Sequence, residues 1–174
     1  MSKKTLTILI IVIVLAVAGV SAALLYNLYG SPGPSSLTEK TFPTTLAGMN
    51  LAQISSGNQA MGMISQLHGK QITVKQGFIA QYAGTGGSQM TLWISESNSA
   101  AEAVQLMEIM DKKIPASKAF TGRKEITANN TKAIYVQGMG MDNYYWQQGD
   151  RVYWIAVGGA DSMQLLQEVM KSFQ

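Results

Sequence analysis

Asp142-Asn-Tyr-Tyr-Trp-Gln-Gln-Gly-Asp-Arg-Val-Tyr-Trp-Ile-Ala-Val157 reads as two β-strands, 142–148 and 151–157, joined by the two-residue turn Gly149-Asp150. Glycine in first place suits a tight hairpin turn that needs a positive φ there. This turn sets Trp146 opposite Tyr153 and Tyr145 opposite Trp154. Side chains alternate along a strand, so Tyr144, Trp146, Tyr153 and Ile155 share one side and Tyr145, Val152 and Trp154 the other. Both sides are apolar or aromatic. Either a helix covers each, or one face is an exposed patch made for a partner. Tyr144, Tyr145, Trp146, Tyr153 and Trp154 are therefore the candidate partner-binding residues, Tyr and Trp being common interface anchors.

Working outward, strand patterns recur at 77–83, 89–95 and 132–138, with weaker ones at 49–54 and 119–127. Gly84-Thr85-Gly86-Gly87-Ser88 joins the first two as a flexible hairpin tip. Three segments carry the i, i+3, i+4, i+7 apolar spacing of amphipathic helices: Ala60/Met63/Ile64/Leu67, Ala103/Leu106/Met107/Met110 and Leu166/Val169/Met170/Phe173. Ser55 or Ser56 is placed to start the first, Ser99 with Glu102 the second, and Asp161 or Ser162 the third. Gly69 stops the first helix and Pro115 the second. The expectation is an α+β domain over 42–174, an antiparallel sheet with about three helices on one face. Two finer arrangements fit the element order: a ferredoxin-like one over 49–127, or a duplicated hairpin-helix unit in which Leu92-Trp93-Ile94 matches Tyr153-Trp154-Ile155.

The N-terminus has a different character. Thr5–Leu28 is 24 uncharged, mostly apolar residues after Lys3 and Lys4, long enough as a helix to cross a hydrocarbon core of about 30 Å. Residues 1–29 read as a membrane anchor contacting lipid through 5–28, with Tyr26 and Tyr29 at the interface and the N-terminus cytoplasmic. Residues 30–41, opening Gly-Ser-Pro-Gly-Pro-Ser-Ser, form a linker. Val20-Ser21-Ala22 also suits signal cleavage, which would make the protein secreted. The basic stub and apolar run further resemble the start of a type IV pilin, which would imply a filament subunit. Lys4-Thr5 lacks the small residue that usually precedes pilin processing, and the Phe and Glu markers of the mature pilin helix are missing.

The net charge of +3 belongs mostly to the stub. Without Lys3 and Lys4 the 13 basic residues become 11, against 10 acidic, and no basic stripe remains for nucleic acid. The absence of cysteine excludes disulfides, thiolate metal sites and a lipidated Cys anchor. His68 is the only histidine; at a helix end before Gly69 it suits the helix dipole better than catalysis. No spacing of carboxylates or nucleophiles assembles a catalytic set, so no enzyme activity and no cofactor are expected. Met61-Gly62-Met63 and Met139-Gly140-Met141, with His68, are candidate Cu(I) ligands because thioethers are soft donors; methionine also simply fills cores. Asn129-Asn130-Thr131 fits an N-glycosylation acceptor between two strands. The expected function is a membrane-anchored extracytoplasmic accessory domain with a protein partner, the alternatives being a small-ligand or Cu(I) carrier and the filament subunit.

Overall fold

Alternating apolar side chains over eight residues at a time build most of this molecule. The structure, a computed structural model, describes residues 42–68 and 74–173. The expected anchor (1–29), the linker (30–41) and the Gly69 helix stop lie outside the described residues, as do the side chains of Leu67 and His68. Among the described residues no helix is long and apolar enough to cross a membrane. The elements are β1 (Thr45–Leu46), β2 (Met49–Ser56), α1 (Gly57–His68), β3 (Gln76–Ala83), β4 (Gln89–Glu96), α2 (Ala100–Ala116), β5 (Thr121–Ala128), β6 (Thr131–Gly138), β7 (Met141–Gln148), β8 (Arg151–Gly158) and α3 (Ser162–Ser172).

The eight strands form one antiparallel sheet in the order β1-β2-β3-β4-β8-β7-β6-β5. Two four-stranded halves therefore meet at β4 and β8. This corrects the ferredoxin-like expectation, which needs parallel neighbours: here β4 pairs with β8 and β5 lies at the far edge. Trp93 pairs directly with Trp154 across the seam, so the two matching tripeptides do meet. The helices that follow them diverge, however, and the duplicated-unit expectation stops at the strands.

One core cluster joins Leu165, Leu166, Val169 and Met170 of α3 to Phe78, Leu92, Ile94, Tyr144, Trp146, Tyr153 and Ile155. It also takes in Leu46 of β1 and Ala128 of β5, the opposite edges of the sheet, and α3 contacts both edge strands. The sheet is thus curled around α3, which fills its concave side. Burying each of those four side chains contributes about 1.5–3 kcal/mol. On the convex side α2 packs Ala103, Leu106, Met110 and Ile114 against Ile134, Val136, Tyr145 and Val152, while α1 packs Ala60 and Ile64 against Ile79. Gly77 of β3 permits that close approach, because a Cβ there would lie 2.6 Å from Ile64 Cδ1. Helices on both faces correct the expectation of helices on one, and the cause is the two-faced apolar pattern of β7 and β8.

Local signals explain the ends. Ser99 Oγ accepts from the Glu102 N–H at 3.2 Å, but the Glu102 carboxylate reaches Asn98, one residue further back than in a standard capping box. Asp161 caps α3 by accepting from the N–H groups of Met163 and Gln164. Pro115 sits inside the last turn of α2 without stopping it, and Ser117 closes the helix by donating its N–H and hydroxyl to the Ile114 carbonyl. Ser55 does not start α1: it is buried in β2 opposite Ile79. Gly149 takes φ +60 in the β7–β8 turn, as expected, and Thr85–Gly87 form a 3₁₀ turn at the β3–β4 tip.

Met139 and Gly140 take φ +59 and +74 in the β6–β7 turn, the backbone of a two-residue hairpin turn with both central residues left-handed. Methionine there is strained, since Cβ crowds the following carbonyl at a cost of about 1–2 kcal/mol. Replacing Met139 with glycine relieves the strain but loosens the unfolded chain, so a net gain of about 0.5–1 kcal/mol is expected. A urea midpoint that rises with unchanged slope checks this.

Candidate functional site

The hairpin aromatics lie where their alternation put them, and they are closed. Tyr144, Tyr145, Trp146 and Tyr153 are at most 3% exposed, and Trp154 is half-buried. Trp146 stacks on Tyr153 at 4.9 Å beneath α3, and Tyr145 on Trp154 at 5.3 Å beneath α2. Phe120 packs edge-on against Trp154 at 5.4 Å. The docking patch expected on these residues is corrected to core, because a helix covers each face.

The methionine pairs are not gathered. Met61 packs with the α2 cluster and Met63 with the α1 cluster. Met139 is in the exposed turn, and Met141 is buried beside Gly158. Met61 touches the end of the sheet that holds Gly77 and Val152. Met141 lies opposite the other end of β8, six residues or about 20 Å along the strand, too far for one ion. Among the described residues no group of three or more His, Asp or Glu is placed to hold a metal. Asn129, the glycosylation acceptor, sits in the β5–β6 turn at φ +47 and donates its side-chain amide to the Gln167 carbonyl of α3 at 2.6 Å. Its nitrogen is therefore engaged in the folded domain.

Carboxylates are engaged too. Glu96, 7% exposed at the end of β4, accepts from Lys75 Nζ at 2.7 Å and Arg151 Nε at 3.1 Å. Asp111 of α2 takes a bidentate pair of bonds from Arg123, both 2.7 Å, and one from the Tyr145 hydroxyl at 2.9 Å. Asp142 accepts from Tyr135 at 2.9 Å and from Ser162 at 2.6 Å. Burial raises the Tyr145 hydroxyl well above the ordinary tyrosine range, and the Arg123 hydrogen bond holds Asp111 below the carboxylate range. Each cluster ties one element to another.

What is left open is a polar strip on the convex face, where α1 and α2 leave the sheet uncovered. In register across β2, β3 and β4 lie Gln53, Gln81 and Thr91, and the next row toward the β3–β4 tip carries Asn50, Ala83 and Gln89. Gln53 and Gln81 are half-buried, and Asn50, Ala83 and Gln89 exposed. None of Gln53, Gln81, Gln89 and Thr91 has a side-chain hydrogen bond among the described residues. Trp93, half-buried, follows Thr91 on the same face. Thr91 itself is buried, as are Ala156 and Asn143 beyond it, so the open strip ends at β4; the Asn143 amide is used by the Met141 carbonyl and the Trp154 indole. Sequence reading passed over this strip. Its signal was the alternation Gln89-Met90-Thr91-Leu92-Trp93, which marks one polar and one apolar face. No protein-family model, curated protein or solved structure matches the chain.

The Lys75 hydrogen bond, aided by the Arg151 charge and opposed by burial, holds the Glu96 carboxyl below its usual range. A carboxyl lowered on folding stabilises the native state above its unfolded pKa, about 4.3, and that contribution disappears as pH falls through the lower folded value. Glu96→Gln is therefore expected to destabilise at pH 7, with the deficit shrinking below about pH 4. Urea midpoints of both proteins across pH 2–7 measure it; a deficit independent of pH would contradict the assignment.

Proposed function

We propose that this protein is a non-catalytic recognition module, held outside the membrane by its N-terminal segment and binding through the convex strip. The observation that carries the reading is the division of polar side chains. The three carboxylate clusters are spent on holding elements together, while Gln53, Gln81 and Gln89 stand unpartnered on paired strands of the sheet. A binding site on sheet strands holds its groups in fixed geometry, which lowers the entropy lost on association. The anchor reading rests on Thr5–Leu28 and the positive stub. Phe42, packed against Phe78 and Phe173 at 5.5 and 5.4 Å, fixes where the chain joins the domain, just after the linker.

Two outcomes are expected. Alkaline carbonate extraction leaves the full-length chain in the membrane pellet, whereas a chain beginning at Gly30 moves to the soluble fraction; co-sedimentation of both would remove the anchor. Capture of membrane components by the tagged full-length protein is lost in Gln81→Arg and Gln89→Arg and kept in Gln105→Arg, on the exposed side of α2. Equal capture by all three would place binding elsewhere.

A further inference from the structure

We infer that the convex strip takes a neutral, hydroxyl-rich ligand, a saccharide, with Trp93 as its stacking platform. This deepens the binding reading above and rests on it.

Charge comes first. The accessible convex positions of β2, β3 and β4 are Asn50, Gln53, Gln81, Ala83, Gln89 and Trp93, and none is ionisable. On α2's side of the sheet Asp111 and Arg123 are paired with each other. A phosphate, carboxylate or ammonium ligand would lose hydration here without gaining a countercharge. An apolar ligand fares no better, because it would cover the Gln81 and Gln53 amides and leave them unpaired.

Sugar hydroxyls both donate and accept, and so do primary amides. The strip offers such groups at the spacing of adjacent strands, about 4.8 Å, comparable with the repeat of one ring along a sugar chain. Gln53 and Gln81 face each other across β2 and β3, with Gln89 one row nearer the β3–β4 tip, so two successive rings would each find an amide. Trp93 lies two residues beyond Thr91, roughly 6.5–7 Å along the strand. Its indole N–H has no partner among the described residues and is not sealed from solvent. An indole face suits the C–H side of a pyranose, while its N–H bonds a hydroxyl.

The test titrates the full-length protein, in a zwitterionic detergent without a sugar headgroup, with neutral oligosaccharides of glucose, mannose, galactose and N-acetylglucosamine. Isothermal titration and tryptophan fluorescence are the readouts. Saturable binding of at least one series is expected, weakened about fivefold in Gln81→Ala by loss of one hydrogen-bonding pair, weakened further in Trp93→Ala, and unchanged in Gln105→Ala. Gln89→Ala, at an exposed position, guards against a folding defect in the other variants. If no neutral series binds while Gln81→Arg still abolishes capture of a membrane protein, the ligand class is wrong and the strip is a protein-docking face. If neither saccharide binding nor capture responds to the strip variants, both readings fall together.

Discussion

The pairing of β4 with β8 is the constraint on which the rest of the molecule depends. Each half of the sheet can form as hairpins from near neighbours in the chain, but the halves become one sheet only where Trp93 meets Trp154, 61 residues apart. Long-range pairing of this kind costs loop-closure entropy before any contact offsets it. The seam returns that cost by burial on both sides: Leu92, Ile94, Tyr153 and Ile155 on the concave face, Val152 and Ala156 on the convex. Two apolar faces at the centre then require two covers. α3 supplies one and is wrapped by the sheet; α1 and α2 supply the other between them.

Much of this was legible locally. The turn at Gly149-Asp150, the opposition of Trp146 to Tyr153 and the faces of Tyr144 and Tyr145 follow from period-two alternation and turn chemistry alone. The helix stripes and the Asp161 cap were legible for the same reason. Topology was not. Nothing in Leu92-Trp93-Ile94 says that its partner is β8 and not β5, because every antiparallel neighbour on these strands looks alike in hydropathy. β1 is two residues long and carries no period to detect. The expectation of a one-sided helical layer failed because surplus apolar character in the hairpin was assigned to a partner, when the chain itself had a third helix to place.

Reading the site from sequence failed for a related reason. Aromatic residues draw attention as interface anchors, yet burying rings is also the largest single contribution a side chain makes to a core. Both roles ask for the same residues, and only the position of α2 and α3 separates them. The methionine pairs show the same ambiguity: Met141 packs inside, Met139 turns a corner, and Met61 and Met63 look into different clusters. Glutamines in strands, by contrast, are easily dismissed as solvent-facing filler.

That dismissal is weakest on β2, β3 and β4. A solvated sheet face commonly carries charge, which protects it from unwanted pairing and keeps it soluble. The outer edge strand β5 does so, with Arg123, Lys124 and Glu125. The accessible convex positions of β2–β4, Asn50, Gln53, Gln81, Ala83, Gln89 and Trp93, hold none, although the same chain spends its charges freely on ion pairs elsewhere. Amides in a row give hydrogen-bonding capacity without the desolvation penalty of ions, a combination suited to releasing water for a neutral ligand. The strip lies on the convex side of the sheet, where two strands beyond β3 and four beyond β4 extend the ladder. The strain of the fold is thus kept in its turns, at Met139 among others, while the proposed strip sits on paired strands.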